Sequence, residues 1–152
     1  MNPLLLCALL ALPQAPAPQA PPSEAAYRME TKPLTWAKPI PMDLSCAGIL
    51  VSSLTFEQSK AEPSFFDFTG APERAVRAFV KVTNTSRAVR WVAMGVVVEG
   101  QDGRAISAVT TGKKRPKLHP GETDVIELRF TLLKEEVLKG AAFKFILEPR
   151  AE

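Results

Sequence analysis

The sequence predicts an all-β fold, an antiparallel β-sandwich of about seven strands set behind an N-terminal extended proline-rich arm. Three observations carry that expectation. Apolar residues recur at every second position in several separate runs, the period of a pleated strand with one buried face. Turn chemistry punctuates those runs, notably Asn84-Thr85-Ser86, Gln101-Asp102-Gly103 and Pro120-Gly121. Helical signal is confined to one short segment, Lys134 to Lys139, stopped by Gly140.

The chain of 152 residues, 46% hydrophobic, suits one domain. It opens with an unbroken apolar run of nine residues, Leu4 to Leu12, followed by alternating Ala and Pro. Nine residues are too few to span a bilayer but suit the hydrophobic region of a signal peptide, although no Lys or Arg precedes them. Residues 1–22 therefore read as a signal peptide and leader, and the product is expected to be exported, periplasmic or extracellular, with no transmembrane span. Residues 23–43 read as an extended arm, because frequent proline cannot propagate a helix or sit in a central strand. Tyr27, Met29, Leu34, Trp36 and Ile40 give the arm enough apolar surface to lie along the domain, which is expected to occupy residues 44–152.

Leu44 to Gln58 reads as one strand with a bulge or bend near Gly48, placing Leu50, Leu54 and Phe56 on one face. Phe65, Phe66 and Phe68 form an aromatic cluster expected to plug the core. Ala75 to Gly103 is the apolar centre of the chain. Val76, Ala78, Val80 and Val82 share one face of its first strand, and Val92, Met94, Val96 and Val98 share one face of its second. The second strand is apolar on its other face too, the pattern of a central strand covered on both sides. Equal parity fits a hairpin within one sheet and equally a crossing between sheets. Arg104 to Thr111 is a weaker strand of small residues suited to an edge, and Pro120-Gly121 suits a type II turn. Ile126, Leu128, Phe130 and Leu132 face inward from the next strand, and Phe143, Phe145 and Leu147 from the last. Cys7 falls in the leader, so Cys46 has no intrachain disulfide partner after processing and is expected to act as a small buried hydrophobe.

Three patterns stand in order: VKVTNTS at Val80 to Ser86, QDG at Gln101 to Gly103, and LHPGE at Leu118 to Glu122. Together they resemble the immunoglobulin-like β-sandwich domains of bacterial envelope and secreted proteins of the FxLyD type, over about Leu50 to Glu148. Where that family carries an aromatic Leu-Tyr-Asp signature, this chain has Val97-Val98-Glu99-Gly100. The resemblance implies a non-catalytic adhesion, assembly or spacer module and carries over no catalytic residues.

The residues themselves point the same way. A net charge of +3 without a dense basic stripe gives no reason to expect a nucleic-acid partner. No phosphate loop, nucleophile motif or metal-ligand spacing is present, so no catalytic residue, metal or cofactor is expected. His119 reads as an exposed residue beside the Pro-Gly turn, and Glu135-Glu136 as solvated charge. Two surfaces stand out. Lys113, Lys114, Arg115 and Lys117 place four cations within five positions and are the candidate polyanion-binding group. Phe79, Trp91 and Val97, with Ala93, are the candidate interface, on a face that the Tyr27–Ile40 arm is expected to cover. Asn84-Thr85-Ser86 also fits the N-glycosylation pattern, though a turn explains it. The leading expectation is a non-enzymatic exported module that binds or spaces other envelope components, with a protein or envelope component as partner. The alternative is a polyanion-binding module acting through residues 113–117.

Overall fold

The structure is a computed structural model that describes residues 27–59, 75–112, 116–130 and 134–151. The leader, the aromatic cluster Phe65, Phe66 and Phe68, Leu132, and three of the four loop cations, Lys113, Lys114 and Arg115, lie outside these residues. The described strands are β1 (Arg28–Pro33), β2 (Ile40–Cys46), β3 (Ile49–Ser59), β4 (Ala75–Asn84), β5 (Arg90–Glu99), β6 (Ala105–Thr110), β7 (Lys117–Leu118), β8 (Thr123–Phe130) and β9 (Ala142–Ala151). A single helical turn, α1 (Lys134–Val137), lies between β8 and β9.

The strands form two antiparallel sheets packed face to face. Sheet A runs β1-β9-β5-β6, with β7 also paired to β5; sheet B runs β2-β3-β4-β8. The apolar centre of the chain therefore crosses the sandwich, with β4 in sheet B and β5 in sheet A. β8 and β9 cross in the same way, so β4 lies beside β8 in one sheet and β5 beside β9 in the other. Alternation predicts the core well. Val76, Ala78, Val80 and Val82, and across from them Val92, Met94, Val96 and Val98, are buried, as are Ile126, Leu128, Phe130, Phe143, Phe145 and Leu147. Phe56 bridges the two layers: its ring centroid lies 6.4 Å from Phe130 in sheet B and 5.2 Å from Phe143 in sheet A.

Three expectations need correction. The segment read as one strand from Leu44 is two strands. Cys46 pairs with Ile49 across a two-residue turn whose members, Ala47 and Gly48, both have positive φ (44° and 80°). That is the backbone of a type I′ hairpin turn, whose twist matches the flanking strands. A Cβ added at Gly48 would lie 2.5 Å from the Cβ of Ser86, so the position demands glycine for space as well. Further along, the register against β4 shifts between Val51 and Ser53, leaving one extra residue in β3. This bulge reverses the parity of β3. Ile49 and Val51 face inward before it, Leu54 and Phe56 after it, and Leu50 is only half-buried.

The arm is also part of the sandwich. β1 pairs with β9 as the edge of sheet A, and β2 with β3 as the edge of sheet B, so the expected boundary at residue 43/44 falls inside β2. Lys32 Nζ donates to the carbonyl of Pro41 at 2.5 Å and ties the two edges together. Glu30 and Lys32, paired at 3.1 Å, place charge along this edge strand, which discourages pairing with another chain. Between the edges Trp36 packs edge-on against Phe56, with centroids 5.9 Å apart. β5, too, departs from expectation: it is central, but among the described residues no element covers its outer face. The arm extends the sheet and does not lie across Trp91 or Val97, which remain half-buried on the outside.

The predicted helical turn is present. Val137 on α1 is fully buried, and Gly140 N–H donates to its carbonyl at 3.0 Å. A Cβ at Gly140 would come within 2.4 Å of Val98 Cγ1, so glycine is required there by close approach. Among the described residues, no helix is long and apolar enough to cross a membrane.

Candidate functional site

Two surfaces carry side chains that the fold itself does not use up. The first is the outer face of sheet A. Alternation along β5 sends Trp91, Ala93 and Val97 outward, and Gly95 between them leaves a shallow depression of about 260 Å³ bordered by Ile146, Thr110 and Glu148. Met29 of β1, paired with Ile146, extends this apolar band and is 54% exposed. At one end β7 pairs Lys117 opposite Trp91, and the Lys117 ammonium sits 5.5 Å from the indole centroid. That is a cation–π distance. On the other side of Trp91 the paired residue is Arg150, which Glu148 engages in an ion pair.

The structure thus joins one residue from each candidate group, Lys117 and Trp91, and separates another pair. Phe79 projects outward from β4, between Thr55 and Glu127, on the outer face of sheet B. It lies on the opposite side of the sandwich from Trp91 and Val97, so the three do not share a surface. Glu127 beside Phe79 is engaged by Arg77 at 3.2 Å and by Arg129 at 2.8 Å.

The second surface is a cleft of about 480 Å³ at one end of the sandwich, where the sheets part. Its walls come from Arg28 of β1, Arg90 of β5, the corner Ser45-Cys46-Gly48, and Ser86. Arg28 pairs with buried Leu147 and Arg90 with buried Leu118, so both arginines occupy core-facing positions at the ends of their strands. No carboxylate lines the cleft among the described residues. The Nε of Arg90 is buried and has no hydrogen-bond partner there. Sequence reading passed over both residues. Arg90 is in phase with Val92, Met94, Val96 and Val98, and a charge continuing a core-facing series was the available signal.

Asn84 holds this end together. It is fully buried; its Nδ2 donates to the carbonyls of Ala88 and Leu118, each at 2.9 Å, and its Oδ1 accepts from Ser86 N–H at 3.0 Å and Ser86 Oγ at 2.7 Å. Its backbone N–H donates to Glu122 O at 2.9 Å and its carbonyl accepts from Gly121 N–H at 2.8 Å. Thr85 N–H donates to the Gly48 carbonyl at 2.7 Å. VKVTNTS and LHPGE are therefore parts of one joint. Since both hydrogens of the Asn84 amide are engaged, the Asn84-Thr85-Ser86 triplet offers no glycan acceptor in the folded protein. His119 is exposed, and its backbone N–H donates to Glu122 Oε2 at 2.6 Å. Cys46 is buried at 6% exposure against the cleft wall. No cluster of His, Cys, Asp and Glu among the described residues is arranged to hold a metal ion.

Comparison with protein-family models, with curated proteins and with solved structures finds no match to this chain.

Proposed function

We propose that this protein is a non-enzymatic, exported β-sandwich module that binds another envelope component, a protein, through the outer face of sheet A. The observation that carries this reading is the uncovered band around Trp91, Val97, Ile146 and Met29, which no other element of the described chain overlies. Apolar faces centred on a tryptophan are common anchors of protein interfaces. The apolar run Leu4 to Leu12 supports export, and an immunoglobulin-like relationship is supported by the paired crossings β4–β5 and β8–β9. The test is capture from envelope extract on the immobilised full chain. Trp91→Ala should reduce the captured partner strongly while changing stability by about 1 kcal/mol at most. Phe79→Ala, on the opposite face, should leave capture unchanged. Equal capture by Trp91→Ala and the unaltered protein would end this reading.

A second reading, polyanion binding through Lys113, Lys114, Arg115 and Lys117, is favoured by the stacking of Lys117 on Trp91, which sets a cation and an aromatic plane side by side. Replacing the four cations with serine is expected to move heparin elution to markedly lower salt, because each lost cation removes an ionic contact. An unchanged elution position rejects it.

A further inference from the structure

We propose that the open end of the sandwich is a binding site for a compact, doubly charged oxyanion of the phosphate class, gripped between the guanidinium groups of Arg28 and Arg90. The site is independent of the outer-face surface.

Arg90 continues the core-facing series of β5 beside buried Leu118, a place that would ordinarily take an apolar residue, since a buried cation is tolerated only when it is paired. Arg77, Arg104, Arg129 and Arg150 each have a carboxylate within reach. Among the described residues no carboxylate is paired with Arg90, and its buried Nε is left without an acceptor. The one acid in phase with Arg28 on β1, Glu30, pairs through Oε1 with Lys32 at 3.1 Å, and its Oε2 is buried without a hydrogen-bond partner among the described residues. The Arg28 and Arg90 guanidiniums thus border a cleft whose described lining holds no negative charge.

Arginine's planar fork matches the geometry of phosphate, and two forks supply the charge a phosphate monoester needs. Ser45 also lines the wall. The cleft, at about 480 Å³, exceeds a bare phosphate. The bound group is therefore a phosphate carried on a small organic body, either a free phosphomonoester or a lipid headgroup. The hairpin corner at Gly48 is tied to Thr85, next to Ser86, by a backbone hydrogen bond of 2.7 Å, which joins the two serine-bearing parts of the wall.

The test uses the full chain with three probes: inorganic phosphate, glycerol 1-phosphate, and phosphatidylcholine vesicles containing phosphatidic acid. Calorimetric titration and thermal unfolding are run against chloride at matched ionic strength. Phosphate and glycerol 1-phosphate should bind and raise the unfolding midpoint above the chloride control. Arg90→Gln should weaken binding by about ten- to a hundredfold, the loss of a charge-assisted hydrogen bond. It should not lower stability without the ligand, because it removes an unpaired buried donor. Arg28→Gln, at an exposed side chain, gives the same test should Arg90→Gln fail to fold. Vesicle binding that is lost in both variants, without binding of the soluble probes, assigns the site to a headgroup. The four-serine variant at 113–117 should bind phosphate normally, which separates this site from the heparin-binding reading. The proposal is overturned if no probe exceeds the chloride control, or if the effect survives both Arg28→Gln and Arg90→Gln.

Discussion

Phe56→Ala is expected to destabilise the protein by about 3–5 kcal/mol, because truncating a buried aromatic removes its transfer energy and leaves a cavity. Phe56 is completely buried and is the ring that joins the two sheets, contacting Phe130, Phe143 and Trp36. Its edge-on contacts with Phe143 and Trp36 contribute about 0.5–1.5 kcal/mol each beyond area burial. A domain stabilised by roughly 5–15 kcal/mol loses a large share of that margin, and the unfolding midpoint should fall by about 10–20 °C. Phe79→Ala is the matched control, since Phe79 stands on the outer face of sheet B and only partly buries its ring. Urea unfolding followed by near-ultraviolet circular dichroism measures both. Similar losses in the two variants would contradict the central place of Phe56.

The second large effect is expected at Asn84. Asn84→Ala strips the carbonyls of Leu118 and Ala88 of their donor and removes the acceptor of Ser86 N–H. Leaving such groups unpaired in a buried network costs about 2–4 kcal/mol in total. Asn84→Asp should be at least as damaging at neutral pH. A carboxylate retains the acceptor role toward Ser86 but faces two carbonyl oxygens, each 2.9 Å from the present Nδ2. Amide exchange should locate the damage, with Thr85, Gly121 and Glu122 losing protection first because their N–H bonds meet at this joint. A loss below about 1 kcal/mol for Asn84→Ala would show that the backbone bonds alone hold it.

Much of this architecture was readable in advance, and the exceptions have identifiable causes. Strand faces were readable at β4, β5, β8 and β9, where every second residue through the strand centre continues one apolar series. At β3 the reading failed twice for local reasons. Ala47 adopts a positive φ that alanine rarely takes, so only Gly48 signalled the corner. The bulge before Ser53 then shifted the inward set, so Leu50 no longer shares a face with Leu54 and Phe56. β1 was invisible as a strand because its core-facing series is Arg28, Glu30 and Lys32, and its pairing depends on the free edge of β9. For the same reason the cleft escaped notice, and only Arg90 continued an apolar series recognisable in sequence.

Local sequence sets the inward faces of β4, β5, β8 and β9 and the turns at Asn84, Gly103 and Gly121. Both are local properties: the pleat alternates side chains with period 2, and turn residues act through their own backbone dihedrals. Which sheet each strand joins is set by long-range pairing. β4 and β5 have the same parity in a hairpin as in a crossing, and it is their pairing with β8 and β9 that places them in opposite layers. The same non-local hydrogen bonding stacks Lys117 on Trp91, sends Phe79 to the far face, and brings Arg28 and Arg90 to the two sides of one cleft.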